Sequence, residues 1–285
     1  MKISTEIHSC SQYVGEQKCV ELVAKAGFDA FDFSMFNMAR YDGNTKQVIN
    51  MEHPLRTDNY LAFARELKHI GLENGIVCNQ SHAPFPTHVP GVYDMLRRAI
   101  ECTAEAGGEI CVIHPPYKSH EQNTDWYLKL LPFAKDHGVK IAIENMFGWD
   151  PVRDCPIPDA CATPQSFADH MNAIDDPFFV ACLDVGHAEQ QTMETSAVEL
   201  IHTLGPRLKA LHLHDNDRRI DLHQLPLTMD IDFHPIVKAL KEIHYDGYFT
   251  LEASNFNNNI TADEVPSQLK KMADAAHTLA VWFEE

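Results

Sequence analysis

Eight short apolar segments, each followed by an amphipathic one, constrain the fold of this chain more than any other feature. The intervening segments place apolar residues at helical spacing and often end at a glycine, as at Gly27 and Gly107. Eight strands alternating with eight helices predict a (β/α)8 barrel, and no change in composition marks a domain boundary, so we expect one domain over residues 1–285. The predicted strands are Lys2–His8, Ala30–Ser34, Ile76–Gln80, Ile110–Ile113, Lys140–Ile143, Phe179–Leu183, the segment from Leu208, and Tyr248–Leu251.

Polar residues at the C-terminal end of nearly every predicted strand favour a closed barrel over an open, doubly wound sheet. In a barrel these ends converge on one mouth, where barrel enzymes carry out their chemistry. The chain has no glycine-rich phosphate loop of the kind that accompanies many open sheets. The candidate site residues at the strand ends are His82, His114, Glu144, Asp184, His187, His212, Asp221, His223 and Glu252.

Three of these residues, Glu144, Asp184 and Glu252, come directly after apolar strands. Taken singly, each acid could simply cap a helix or lie in a solvated loop. A single His after a strand is usually a structural residue held by a hydrogen bond. Around one barrel axis, however, unneutralised carboxylates repel one another and shift each other's pKa. A divalent cation removes this conflict, and His212 adds one nitrogen to the oxygen ligands. Such a set suits Mn, Mg or Co, and Zn is also compatible.

The charge and cysteine content restrict the partners and the compartment. The formal net charge of -18, without a dense Lys/Arg cluster, disfavours nucleic acid and anionic membranes as partners. No apolar run approaches the ~20 residues that cross a membrane, and the N-terminus lacks the apolar core of a signal peptide. The eight cysteines show no tight repeat, which fits free thiols in a reducing cytoplasm. Cys155 and Cys161 share a loop and are the one pair that could bond or bind a metal.

Seven short segments, in the same order along almost the whole chain, carry a family resemblance. They are SHAPF at 81–85, VIHPP at 112–116, IAIENM at 141–146, CLDVGHA at 182–188, LKALHLHDN at 208–216, DLH at 221–223 and TLEAS at 250–254. In these segments the chain resembles the xylose-isomerase-like TIM barrels. This superfamily groups sugar and sugar phosphate isomerases and epimerases with the endonuclease IV type of abasic-site nuclease (AP endonuclease family 2).

The resemblance implies two different sets of roles for the same residues. In the epimerase branch, Glu144, Asp184, His212 and Glu252 hold one metal ion, Glu144 and Glu252 also act as acid/base groups, and His187 helps to bind substrate. In the nuclease branch, all nine strand-end residues hold three zinc ions. Since this chain has a suitable residue at all nine positions, the ligands alone do not decide between the branches.

The loops after the strands favour the small-molecule branch. A nuclease needs basic loops to hold a bent duplex, whereas these loops are neutral or acidic. The positive groups expected near the mouth are Lys118, Arg153, Arg218 and Arg219, which are enough for one carboxylate or phosphate. We therefore expect an isomerase or epimerase that binds one divalent metal and a small carbohydrate, and no nucleic acid.

The expected reaction is proton transfer next to a carbonyl through an enediolate, with Glu144 and Glu252 as acid/base groups. His187, Arg218 and Trp149 are predicted to bind the substrate. A metal-dependent dehydratase of a hydroxy-keto acid, the zinc nuclease and a non-catalytic carbohydrate-binding protein are the alternatives. The substrate and the oligomeric state stay open, although such barrels commonly form homo-oligomers. The loop Phe147–Pro164 suits a lid over the site.

Overall fold

A computed structural model describes residues 1–285 and contains the predicted (β/α)8 barrel. All eight barrel strands run parallel, so their C-terminal ends lie on the same side. The strands are β1 (Ile3–Glu6), β2 (Ala30–Ser34), β3 (Val77–His82), β4 (Ile110–Val112), β5 (Lys140–Glu144), β6 (Phe179–Asp184), β7 (Leu208–His212) and β8 (Phe249–Leu251).

The barrel closes between β7 and β8 through a single residue beyond β7. The backbone N–H of Leu213 donates to Thr250 O at 2.9 Å, and the N–H of Glu252 donates to Leu213 O at 3.0 Å. The other strands pair in the order β7, β6, β5, β4, β3, β2, β1, β8. Closure therefore lies at the mouth, and it joins the strand ends that carry His212 and Glu252.

Helices surround the strands, and one predicted helix is divided in two. The segment around Leu128 and Leu131 forms the helices His120–Tyr127 and Leu131–Asp136, because Pro132 lacks an N–H and fits only a first helical turn. The remaining helices are His8–Val14, Glu16–Ala26, Tyr60–Glu73, Pro90–Tyr93, Leu96–Ala106, Pro164–Ala173, Val185–Glu189, Ala197–Leu204, Phe233–Glu242 and Val265–Glu284. No helix is both long and apolar enough to span a membrane.

The barrel interior is apolar on one side and polar on the other. A core of 67 buried residues fills the space between strands and helices, and a separate cluster, Val112, Ala142, Val180, Cys182 and Ala210, comes from β4 to β7. On the opposite side, Ser4 Oγ of β1 donates to Asn79 Oδ1 of β3 at 2.6 Å. Since β1 and β3 are not neighbours, this bond crosses the interior.

The segment predicted as a lid contains a β-hairpin of Phe147–Asp150 and Cys155–Pro158. Neighbouring loops hold it, because Lys118 Nζ donates to Pro158 O at 2.8 Å and Arg219 pairs with Asp154. All eight cysteines are free, so Cys155 and Cys161 form no disulfide. A second small hairpin, Tyr41–Asp42 with Gln47–Val48, lies in the long connection between β2 and β3.

Candidate metal centre

The four residues predicted as metal ligands converge at the barrel mouth. Glu144, Asp184 and His212 end β5, β6 and β7, and Glu252 directly follows β8. All four are buried, and one ligand atom from each lies within 4.8 Å of the others. Parallel strands of a closed barrel bring their C-terminal ends together around one axis, which explains this convergence.

The centre of this group contains buried polar atoms without hydrogen-bond partners. His212 Nδ1 lies 3.3 Å from Glu144 Oε2 and 3.4 Å from Glu252 Oε2. Both Glu144 Oε2 and His212 Nδ1 are buried and make no hydrogen bond. Such atoms are costly to bury unsatisfied, and a divalent cation among them would satisfy them all. Three carboxylates and one imidazole form a donor set that fits Mn, Mg, Co or Zn.

Neighbouring charges within the group shift one another's pKa. Burial acts to raise the pKa of Glu144, but the imidazoles of His212 and His114 outweigh it and hold that pKa well below its usual range. Burial lowers the pKa of His212, but Cys182, Glu252 and Glu144 raise it well above the ordinary value. In the metal-free protein the protonated imidazole of His212 balances the neighbouring carboxylates, whereas burial lowers the pKa of His114. A bound cation would replace the proton on His212 Nδ1, so metal affinity should depend on pH.

His82 and His114 form a second group with Glu144. Their Nε2 atoms lie 3.6 Å and 3.2 Å from Glu144 Oε2. His114 Nε2 is buried without a hydrogen-bond partner. Glu144 therefore belongs both to this group and to the four-residue group.

A third group surrounds Asp184 and contains His187, His214 and His223. Asp221 completes it, with its Oδ2 2.9 Å from His223 Nε2 and 3.5 Å from His187 Nε2. The Asp221 carboxylate raises the pKa of His223 to about 10, against the effect of burial. The structure thus brings together all nine residues predicted from the strand ends.

The loop that carries Asp221 and His223 is organised by Asp215. The Asp215 carboxylate accepts hydrogen bonds from the backbone N–H groups of Thr228, Met229 and Ile231 at 2.9 to 3.1 Å. Its backbone also pairs with Gln224 in both directions. Asp215 is fully buried, so its carboxylate fixes the loop conformation and does not line the cavity.

Two further residues near the centre were not predicted to have a role there. The side-chain amide of Asn145 bonds the backbone of Asp184 in both directions at 2.8 Å, which locks the end of β5 to the end of β6. Asp32 of β2 is buried, and its Oδ2 lies 3.7 Å from His212 Nε2. An acid within an otherwise apolar strand is the signal that could have identified Asp32.

A cavity of about 630 Å³ opens beside Glu144 and Glu252. Its wall includes Phe85, Tyr117 and Phe147, and its volume and mixed lining suit a small ligand. Of the nine strand-end residues, the cavity is lined by His82, His114, Glu144, His187, Asp221, His223 and Glu252.

Two of the predicted substrate-binding residues do not line the cavity. Trp149 lies on the outer hairpin, and Arg218 pairs with Glu189, its Nη2 3.4 Å from Glu189 Oε2. Lys118 is the cation that lines the cavity. The third predicted residue, His187, does line it.

Comparison with known proteins identifies the family to which this chain belongs. The chain belongs to the xylose isomerase-like TIM barrel family, whose model matches residues 20–280. It is 27% identical over 203 residues to an uncharacterized protein from Methanocaldococcus jannaschii, a match that covers 65% of this chain and 67% of that protein.

Solved structures share the fold over the whole chain. A D-psicose 3-epimerase crystallised with D-fructose has a TM-score of 0.71 at 15% identity, with full coverage of both chains. A D-tagatose 3-epimerase-like protein has a TM-score of 0.68 at 21% identity, covering 98% of this chain and 100% of that one. The IolI protein with a bound zinc atom has a TM-score of 0.69 at 18% identity, covering 98% and 99%. At these identities the likeness establishes the fold.

Proposed function

We propose that this protein is a divalent-metal-dependent isomerase or epimerase of a sugar or sugar phosphate. The observation that carries the proposal is the placement of Glu144 and Glu252 around one imidazole nitrogen, in a cavity of small-ligand size. Two carboxylates at a shared centre are what a reaction needs when it removes a proton from carbon and returns one. The sugar epimerases that share the fold, and the zinc-containing IolI structure, support the same proposal.

Glu144, Asp184, His212 and Glu252 would hold the metal, which supplies positive charge that stabilises the enediolate. One of the two Glu carboxylates removes the proton beside the substrate carbonyl. If the same carboxylate returns a proton to the neighbouring carbon, the result is isomerisation. If the other carboxylate delivers its own proton to the same carbon from the opposite face, the result is epimerisation. His187 and His223 line the cavity and would bind substrate hydroxyls, while the aromatic wall packs against the sugar.

The proton-transfer role is tested by solvent-deuterium exchange into candidate ketoses and sugar phosphates. Glu144→Gln and Glu252→Gln should each lower exchange by at least about 100-fold, because a general acid/base typically contributes 10²–10⁴-fold. Glu109→Gln is the matched control, since Glu109 is an exposed acid that pairs with Lys140 away from the mouth. Wild-type rates of deuterium exchange in both site variants would contradict the mechanism. A product that lacks one water relative to the substrate would instead identify a dehydratase.

A second candidate, a zinc phosphodiesterase that cleaves abasic DNA, rests on the two additional ligand groups. His82 and His114 stand beside Glu144, and His187, Asp221 and His223 stand near Asp184, so three ions have potential ligands. The net charge of -18 disfavours a DNA partner. Zinc analysis near three per chain together with cleavage of an abasic duplex would favour the nuclease, whereas one metal per chain and sugar turnover favour the isomerase.

A further inference from the structure

We propose that Asp32, held by Gln80, is a positioning residue that orients His212 as a metal ligand. The inference rests on the proposed metal site and adds two residues to it. Neither residue lines the cavity or belongs to the ligand groups, so neither contacts the substrate. They would act through His212 alone.

The imidazole of His212 lies between the ligand group and Asp32. Its Nδ1 faces the carboxylates of Glu144 and Glu252, while its Nε2 lies 3.7 Å from Asp32 Oδ2. A histidine that binds a metal through one nitrogen carries its proton on the other, and a carboxylate near that proton fixes both the tautomer and the ring. Asp32 stands beside the nitrogen that would carry this proton. The 3.7 Å separation is ion-pair range, and we expect it to shorten to hydrogen-bond distance in the loaded protein.

Asp32 has no cationic partner other than this histidine. It is 1% exposed, and neither a lysine nor an arginine pairs with it. Burying a carboxylate without a lysine or arginine partner costs free energy. Interaction with His212 is a function that would explain why Asp32 is there. The Cys182 thiol also neighbours His212, but a thiol is only a weak hydrogen-bond acceptor and cannot fix the ring as a carboxylate can.

Gln80 fixes Asp32 in turn. Gln80 Nε2 donates to Asp32 Oδ2 at 2.9 Å, and Gln80 Oε1 accepts from Thr250 Oγ1 at 3.3 Å. Asn79 Nδ2 donates to the same Thr250 Oγ1 at 3.0 Å, and Ser4 Oγ donates to Asn79. This polar chain explains why one side of the barrel interior is not apolar. It runs from β1 and β8 to Asp32 and stops at the metal ligand.

The experiment is a Co²⁺ titration of the full-length protein after metal removal, followed by visible spectroscopy of the Co²⁺ site. Asp32→Asn should weaken Co²⁺ binding about 10- to 100-fold, the usual effect of removing an outer partner of a metal-bound histidine, and should change the Co²⁺ spectrum. Ser4→Ala, at the far end of the polar chain, should leave both unchanged. A purely structural role for Asp32 would lower the melting temperature of the metal-free protein without moving either readout.

Gln80→Met provides the test if Asp32→Asn does not fold, because it removes the donor to Asp32 but keeps the carboxylate. It should weaken Co²⁺ binding in the same direction by a smaller factor. Wild-type affinity and spectrum in the folded variants would overturn the positioning role while leaving the metal site intact. Failure of the wild-type protein to bind Co²⁺ would overturn the metal site itself, and the positioning role with it.

Discussion

At the scale of single residues, Glu6 shows how strongly burial changes the pKa of an acid. It ends β1, is 2% exposed, and accepts hydrogen bonds from the backbone N–H and the hydroxyl of Ser9. Burial raises its pKa from 4.5 to about 7, although both bonds to Ser9 act to lower it. Glu6 is outside the ligand groups and the cavity lining, so its titration should appear in stability.

We predict that Glu6→Gln changes the pH dependence of stability in the metal-free protein. The pKa in the folded protein is above that of the unfolded chain, so stability from Glu6 is present below about pH 4.5 and lost as pH rises through about 7. As pH rises between these two values, the free energy of unfolding of the wild-type protein should fall by up to about 3 kcal/mol relative to that of Glu6→Gln. Urea unfolding of both proteins with chelator at several pH values measures the difference. A pH-independent difference would contradict the prediction.

At the scale of elements, the short helix Val185–Glu189 joins the β6 end to the site. Asp184 caps it, because Asp184 Oδ1 accepts from the backbone N–H of His187 at 2.7 Å. The same carboxylate lies 3.0 and 3.1 Å from His214 Nε2. This helix approaches His214 so closely that a Cβ at position 186 would lie 1.9 Å from its ring, which explains the glycine there.

Gly186→Ala should therefore displace His214 and disturb Asp184. We expect a loss of about 1–3 kcal/mol in the free energy of unfolding, because His214 is fully buried and cannot move freely, and weaker metal binding as well. Gly43→Ala is the matched control, since nothing lies within 4 Å of its added Cβ. Chemical denaturation and metal titration measure the two effects. A Gly186→Ala protein as stable as Gly43→Ala would show that the helix can shift to make room.

At the scale of the whole molecule, the candidate ligands come from the strands next to the point where the barrel closes. Glu144, Asp184, His212 and Glu252 come from β5, β6, β7 and the residue after β8, and only Leu213 links the last two strands. A metal at this position would hold four strand ends together. Binding to the folded state alone should therefore stabilise the entire barrel.

Metal removal should lower the free energy of unfolding by about 2.7 kcal/mol, compared with protein in metal at about 100 times its Kd. Thermal unfolding with chelator and with Mn²⁺, Co²⁺ or Zn²⁺ measures the difference. Glu252→Ala should abolish the stabilisation, while Glu109→Gln should retain it. The stabilisation should also fade at acidic pH, because the ligands must lose protons to bind. Equal melting with and without each metal would contradict a metal site at the mouth.

The amino-acid sequence by itself determined the alternation of strands and helices and the residue types at the strand ends. Both are local, because the period of the apolar residues and the glycines and prolines between segments define the elements. Glu144 and Asp184, predicted directly after their strands, are the last residues of those strands, and His212 ends its strand as well. The (β/α)8 fold follows because parallel strands that alternate with helices have few ways to bury both faces. The candidate residues directly at strand ends could be placed near one mouth for the same reason, whereas Asp221 and His223 lie in the loop after β7.

Only the tertiary structure decided which side chains face one another. Arg218 was expected at the substrate but turns to Glu189, and Trp149 lies on an outer hairpin, because loop conformation depends on contacts with distant segments. Asp32 and His212 are far apart in sequence and come from different strands. Only closure of the barrel brings their side chains within 3.7 Å of each other in its interior. Sequence periodicity fixes which residues share a strand end or a face, whereas distances between strands depend on closure, and closure is a property of the whole chain.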